Sequence, residues 1–135
     1  MKKFKQAGNF TLAAGILLTL ASLAHFFLGY PAVNETIRAE NAGPETAQTL
    51  RVIWIFSSIT MCAMGLWAVF LSGDLKTGSR RARMQGLMWG TALLLFAAVG
   101  QTFEFPNYHL MSFGVIGLLV LLPLLISSAA FRNAG

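Results

Sequence analysis

The chain has 135 residues, of which 56% are hydrophobic and 11% are charged, with 10 Lys and Arg against 5 Asp and Glu. Soluble domains carry about 25% charged residues, so this chain has too few charges to cover a water-facing surface. The length allows one domain, the abundance of Phe and Trp excludes a disordered chain, and the single cysteine, Cys62, excludes an internal disulfide or a CxxC redox or zinc motif.

The charged residues fall in a few short blocks separated by long apolar stretches. Four such stretches cover about residues 10–30, 52–72, 84–103 and 108–131. About 20 helical residues cross the roughly 30 Å hydrocarbon core of a bilayer, whereas membrane strands need alternating polarity over about ten residues. The pattern therefore predicts a single all-α domain, an integral membrane four-helix bundle.

The connections predict how consecutive helices are arranged. Pro31 is expected to end the first helix, because proline disfavours helical geometry in the residue before it. The polar segment 32–49 follows, and its residues 35–41 are expected to form a short helix on the membrane surface. Residues 76–83 form a basic hairpin loop, and residues 105–107 form a very tight turn. Short connections favour antiparallel neighbours, so the bundle is predicted to be antiparallel.

The distribution of basic residues predicts the orientation. The side that holds both termini and the 76–83 loop has eight Lys and Arg against one Asp, and the other side has two Arg against four Glu. The positive-inside rule then places both termini in the cytoplasm. Aromatic residues mark both membrane boundaries, as expected: Trp67 and Trp89 near the inner one, and Tyr30, Trp54 and Tyr108 near the outer one.

The N-terminal segment also resembles a signal peptide. Three lysines precede an apolar run, and Ser22-Leu23-Ala24 is acceptable as a cleavage site. The apolar run continues past Ala24 to Tyr30, which favours an uncleaved first helix. We therefore expect a multi-pass protein of the bacterial inner membrane.

Small residues at helical spacing indicate helix packing. In lipid, glycine lets helix backbones approach closely, and Gly86 and Gly90 form a GxxxG motif. We expect these glycines to face the inside of the bundle, with a homo-oligomer or a membrane-protein partner as the secondary interpretation. Pro123 lies inside the fourth helix and is expected to kink it. The candidate packing residues are Gly15, Gly65, Gly86, Gly90 and Gly100.

A group of polar residues at the predicted outer end is the one candidate for chemistry. This candidate cap comprises His25, Arg51, Gln101, Glu104, Asn107 and His109. Two imidazoles and a carboxylate are a plausible ligand set for a transition metal, with His25, Glu104 and His109 as the candidates. A His and a Glu can also transfer protons, and bis-histidine haem is a further alternative. Equally, Glu104 can pair with Arg51, His109 can be a boundary residue that reaches lipid headgroups, and His25 can donate to a neighbouring carbonyl.

Three short runs carry a resemblance to a family. The matching runs are Ala24 to Val33, Trp54 with Ser57 and Ser58, and Pro106-Asn107-Tyr108. In these runs the chain resembles a family of small bacterial four-helix integral membrane proteins without an assigned activity. The resemblance implies the fold and the topology. In that family a second histidine often follows the helix 2 tryptophan, whereas Ile55 occupies that position here.

The sequence leads to a non-enzymatic accessory or interaction protein as the first hypothesis. It has no phosphate loop, GxSxG or HExxH motif, and its basic loops lack the aromatic interleaving of nucleic-acid binders. The alternative is a small transporter, or a metal- or proton-handling protein, that uses the outer His/Glu cluster. No cofactor is expected under the first hypothesis; haem or a transition metal belongs to the alternatives. The expected partner common to all of them is the lipid bilayer.

Overall fold

The computed structural model describes residues 2–103 and 105–132, with the backbone alone for Arg132. Every regular element in these two ranges is helical, and they contain no strand. The elements are α1 (Lys2–Ala24), a π-helical turn (His25–Gly29), α2 (Tyr30–Ala39), α3 (Pro44–Lys76), α4 (Arg80–Gln101), α5 (Tyr108–Ile126) and α6 (Ser128–Arg132). Four continuous helices are long and apolar enough to cross a membrane, beginning at Lys2, Pro44, Arg80 and Tyr108. The prediction of an all-helical chain with four such helices is confirmed.

The first helix does not end at Pro31, so that part of the prediction was wrong. The chain stays helical from Lys2 to Ala39, passing through the π-helical turn just before the proline. Proline has no N–H, and its ring clashes with the carbonyl four residues earlier. A π turn is wider than an α turn and changes the hydrogen-bond register, which provides room for the ring. Residues 35–41 likewise do not form a separate surface helix, because α2 continues α1 and packs against α3.

The helices differ in length. The first one has 38 residues and α3 has 33, which correspond to about 57 and 50 Å at 1.5 Å per residue. Helices α4 and α5 have 22 and 19 residues, or about 33 and 29 Å. The shorter pair matches the roughly 30 Å hydrocarbon core, and the longer pair exceeds it. Part of the excess is formed by α2 together with residues 44–51 at the start of α3, and we call this part the helical arm.

The helices pack mainly as two pairs. Helix α1 lies chiefly against α3, α4 lies chiefly against α5, and α1 also contacts α5. Where α1 and α3 meet, a Cβ on Gly15 would be 2.7 Å from the carbonyl oxygen of Gly65 and 2.8 Å from the Val69 nitrogen. A Cβ on Gly65 would be 2.8 Å from the Thr19 nitrogen. The two backbones are therefore in direct contact, which only glycine permits.

Glycines also line the contact between α4 and α5. A Cβ on Gly86 would meet Leu124, and one on Gly90 would meet Leu121 at 2.7 Å. Gly100 faces Leu110 near the end of the pair. Trp89, between the two glycines of the GxxxG motif, is only 2% exposed. Trp89 is therefore part of the core, and its position near the inner membrane boundary stays a prediction.

The last long helix continues through Pro123 and ends three residues later. Helix α5 ends at Ile126, and Ser127 separates α5 from α6. Ser127 donates from both its backbone N–H and its hydroxyl to the Pro123 carbonyl. Arg83 donates from Nε to the carbonyl of Leu124 at 3.4 Å, satisfying an acceptor near the end of the helix. The segment predicted as one span to about residue 131, with a kink at Pro123, is thus two helices.

The two ends of the structure differ in character. At one, which we call the basic end, the rings of Phe4 and Phe131 lie 4.6 Å apart, and the turn glycine Gly78 sits against Phe4. At the other, which we call the histidine end, lie His25 and the turn between α4 and α5. Many large apolar side chains between the ends are exposed, including Phe70 at 77%. Such a surface is suited to lipid rather than to water.

Candidate functional site

His25 is held against α3 by two side chains of that helix. Its ring stacks on the Trp54 indole, with 3.9 Å between centroids and 9° between planes. Its Nδ1 lies 2.8 Å from the Ser58 hydroxyl oxygen. Trp54 and Ser58 are four residues apart, so one face of α3 presents both. We call these three residues the His25 cluster.

The backbone of the π-helical turn completes the cluster. Trp54 donates its indole N–H to the carbonyl oxygen of His25 at 2.9 Å. Gly29, at the end of the turn, makes room for this indole, because a Cβ there would lie 2.5 Å from the Trp54 Cζ2 atom. π-Helical turns occur frequently at functional sites, and this one fixes both the imidazole and the carbonyl of one residue. The local backbone irregularity and the cluster are one structure.

Hydrogen bonding in the cluster favours one histidine tautomer. The Ser58 hydroxyl donates to the carbonyl of Trp54 at 2.9 Å, and a hydroxyl has a single proton. Ser58 then accepts from His25, so the proton of a neutral imidazole is assigned to Nδ1. The Nε2 atom becomes the acceptor, and no described residue hydrogen-bonds to it. Chemically, this atom can accept a proton or ligate a metal.

The second unit of the histidine end joins α2 to α3. Arg51 donates from Nε to the side-chain oxygen of Asn34 at 2.7 Å. Asn34 in turn donates to the carbonyl of Tyr30. The arm is therefore fixed by a hydrogen bond between charged and neutral side chains near its base. The alternative pairing of Arg51 with Glu104 cannot be followed, since Glu104 lies outside the described residues.

The third unit closes the turn between α4 and α5. Gln101 donates from Nε2 to the Asn107 carbonyl at 2.7 Å, and its Oε1 accepts from the Asn107 N–H at 3.0 Å. The Asn107 side chain accepts from the N–H of Leu110 at 3.0 Å and so caps the start of α5. These two side chains satisfy backbone groups of the turn.

The candidate cap is thus divided into local units. His25, Arg51 and the Gln101–Asn107 pair each bond to different partners, while His109 is exposed at the start of α5. His109 lies within electrostatic range of His25. Residues 2–103 and 105–132 contain no group of three His, Cys, Asp or Glu side chains that could hold a metal ion. Because Glu104 falls in the gap, the site of His25, Glu104 and His109 stays a prediction.

Three residues that make these contacts, Asn34, Trp54 and Ser58, were not among the candidates. Asn34 was read as part of a polar loop, and Trp54 as a boundary aromatic. The sequence signal for Trp54 and Ser58 is a spacing of four residues, which places both on one face of α3. The same spacing relates His25 to Gly29 on the first helix. A glycine one turn from a histidine indicates space for a large ring on the facing helix. Neither pattern identifies the partner without the register between the helices.

Comparison with protein-family models, with curated proteins and with solved structures finds no match to this chain. The functional argument therefore depends on the geometry of its own residues.

Proposed function

We propose that this chain is a bacterial inner-membrane protein with four antiparallel spans and both termini in the cytoplasm, acting as a non-enzymatic accessory or interaction subunit. The antiparallel arrangement is supported by the order of contacts along the first helix, in which Gly8 faces Ser72, Gly15 faces Gly65 and Gly29 faces Trp54. Supporting the orientation, the basic end has the large excess of Lys and Arg, which are retained on the cytoplasmic side.

The observation that carries the interaction role is the helical arm. Its α2 segment adds ten residues, or about 15 Å, beyond the apolar run of the first helix. The arm is a packed unit, because Ile37 and Ala47 are each only 6% exposed and Arg51 bonds across it. A rigid polar helix pair outside the bilayer offers a preformed surface to another protein, at little ordering cost on binding.

The use of the polar residues also favours this function over transport. His25 is engaged by Ser58 and by the Trp54 ring, and Gln101 is engaged by the turn backbone. Polar groups used in this way join helices, as expected for side chains in an apolar medium. The remaining acceptor of His25, its Nε2 atom, and the electrostatic effect of His109 on this histidine are what favour the alternative of a proton- or metal-handling protein.

Photo-crosslinking in cells tests the proposal. Benzoylphenylalanine is placed at exposed Thr36 of the arm or, as a control, at exposed Phe70 on the lipid-facing surface. We expect one discrete protein adduct from Thr36 and none from Phe70. We further expect the adduct to be lost when the charge at position 38 of the arm is reversed by Arg38→Glu, and to persist in His25→Ala. Absence of an arm-specific adduct would contradict the proposal.

Reconstitution tests the alternative. Protein in vesicles is assayed for flux of protons, Zn²⁺ or Cu²⁺ with an internal indicator. We expect the flux to equal that of protein-free vesicles. A flux that exceeds this level and disappears in His25→Ala would replace the accessory role by a transport role.

A further inference from the structure

A long groove runs between the start of α1 and the second half of α5. It has a volume of about 380 Å³, within the range of ligand sites. On the α1 side it is lined by Lys3, Gln6 and Phe10, and on the α5 side by apolar residues from Val115 to Ile126. That part of α5 is about 17 Å long at 1.5 Å per residue. The groove is thus elongated along the helices.

The groove wall changes from polar to apolar along its length. Lys3, Gln6 and Phe10 are spaced by three and four residues, so they form one row on α1. Phe10 lies about 10 Å deeper along the axis than Lys3. On the opposite wall, Leu118 and Leu122 are 42% and 51% exposed, so the groove is open to the surrounding medium. It has a cationic mouth and an apolar body.

The polar groups at the mouth are available to a ligand. Within residues 2–103 and 105–132, neither Lys3 nor Gln6 has a hydrogen bond or ion pair to another side chain. The mouth is also part of the basic end, so its surroundings add positive potential. An ammonium and an amide at this position are suited to a phosphate, which accepts hydrogen bonds from both.

We propose that this groove binds one anionic phospholipid of the leaflet that contacts the basic end. The phosphate lies against Lys3 and Gln6, and one acyl chain lies along Phe10, Leu118 and Leu122. A second copy of the chain is a poorer occupant, because a symmetric contact would bring two basic ends together. This inference uses the membrane assignment of the helices and is independent of the interaction role of the arm.

Native mass spectrometry of the full-length protein, released from detergent micelles, tests the proposal. The probes are dioleoyl-phosphatidylglycerol and dioleoyl-phosphatidylcholine, which have the same acyl chains and differ in net charge. We expect one tight phosphatidylglycerol adduct and a much weaker phosphatidylcholine adduct. A cationic side chain near an anionic lipid surface contributes about fivefold in affinity, so Lys3→Gln should weaken the first adduct by about that factor. Equal binding of the two lipids would overturn the proposal.

Matched variants separate this site from general attraction. Lys5 lies two residues from Lys3, on the other side of α1 and outside the groove, so Lys5→Gln should change the affinity less than twofold. Leu122→Trp should fill the groove and abolish the adduct, while Leu125→Trp, at similar exposure outside the groove, should preserve it. Equal losses in either matched pair would overturn the proposal, as would a wild-type dimer that Leu122→Trp dissociates.

Discussion

The bond between His25 and Ser58 gives the sharpest test of how the histidine end works. Two neighbouring serines of α3, Ser57 and Ser58, both donate to the carbonyl of Trp54 at 2.9 Å. Only Ser58 also contacts the imidazole of His25, at 2.8 Å. Replacing each serine by alanine therefore removes the same backbone bond, and Ser58→Ala additionally removes the link to the first helix.

The expected free energies follow from these contacts. A side-chain hydrogen bond between membrane helices contributes about 0.6 kcal/mol on average and up to about 1.7 kcal/mol. An aromatic stack adds about 0.5–1.5 kcal/mol. His25→Ala loses both, so we expect it to lower the free energy of unfolding by about 1–3 kcal/mol. In a double-mutant cycle, His25 and Ser58 should couple by about 0.6–1.7 kcal/mol.

The assay is equilibrium unfolding in mixed micelles of increasing SDS fraction, followed by far-ultraviolet circular dichroism. This signal avoids the fluorescence of Trp54, which the substitutions themselves alter. The His25–Ser57 cycle is the control, and its two effects should add within about 0.3–0.5 kcal/mol. The reasoning fails if Ser58→Ala costs the same with and without His25, or if both serines couple equally to it.

Two further predictions concern the glycine contact and the closing turn. A Cβ at Gly15 would lie 2.7 Å from a backbone oxygen, about 0.7 Å closer than ordinary contact, so Gly15→Ala should destabilise the protein by about 1–3 kcal/mol. A Cβ at Gly73 would have no neighbour within 4 Å, so Gly73→Ala should stabilise the protein slightly. Similar SDS midpoints for Gly15→Ala and Gly73→Ala would contradict the packing argument. Gln101→Leu removes two bonds to the Asn107 backbone and should cost about 1–3 kcal/mol in the same titration. The Thr102 hydroxyl donates to the Val99 carbonyl of its own helix, so Thr102→Val should lower the free energy of unfolding by less than Gln101→Leu does. A larger loss for Thr102→Val than for Gln101→Leu would refute the role of Gln101 in the turn.

The number of helices was predictable because the charges that interrupt the apolar runs are few and clustered. The end of the first helix was not, since the rule for Pro31 considers an α-helix and the chain forms a π turn before it. The burial of the Trp89 side chain was also not predicted. Hydropathy gives the depth of a tryptophan in the bilayer but not the direction in which its side chain points.

The polar residues of the candidate site were evident from the sequence, but the side chains and backbone groups to which they bond were not. Topology brought His25 and Gln101 to one end, as their places in the sequence require. The pairing of His25 with Ser58 depends on the rotation and axial shift of the first helix against α3. Those are fixed by backbone contact at Gly15 and Gly65, a three-dimensional constraint that one sequence does not contain. The same holds for Asn34 and Arg51.

The pairing of α1 with α3 and of α4 with α5 has a consequence for biogenesis. Each principal contact joins two long helices that follow one another in the chain, because α2 only continues α1. The hairpin of α1 and α3 can therefore form in the membrane before the hairpin of α4 and α5 leaves the ribosome. The contacts between the two hairpins include the α1–α5 surface, the Phe4–Phe131 contact between α1 and α6, and the hydrogen bond from Trp89 on α4 to the Met64 carbonyl on α3. Such a contact pattern favours assembly in two steps, in which each hairpin forms before the two hairpins dock.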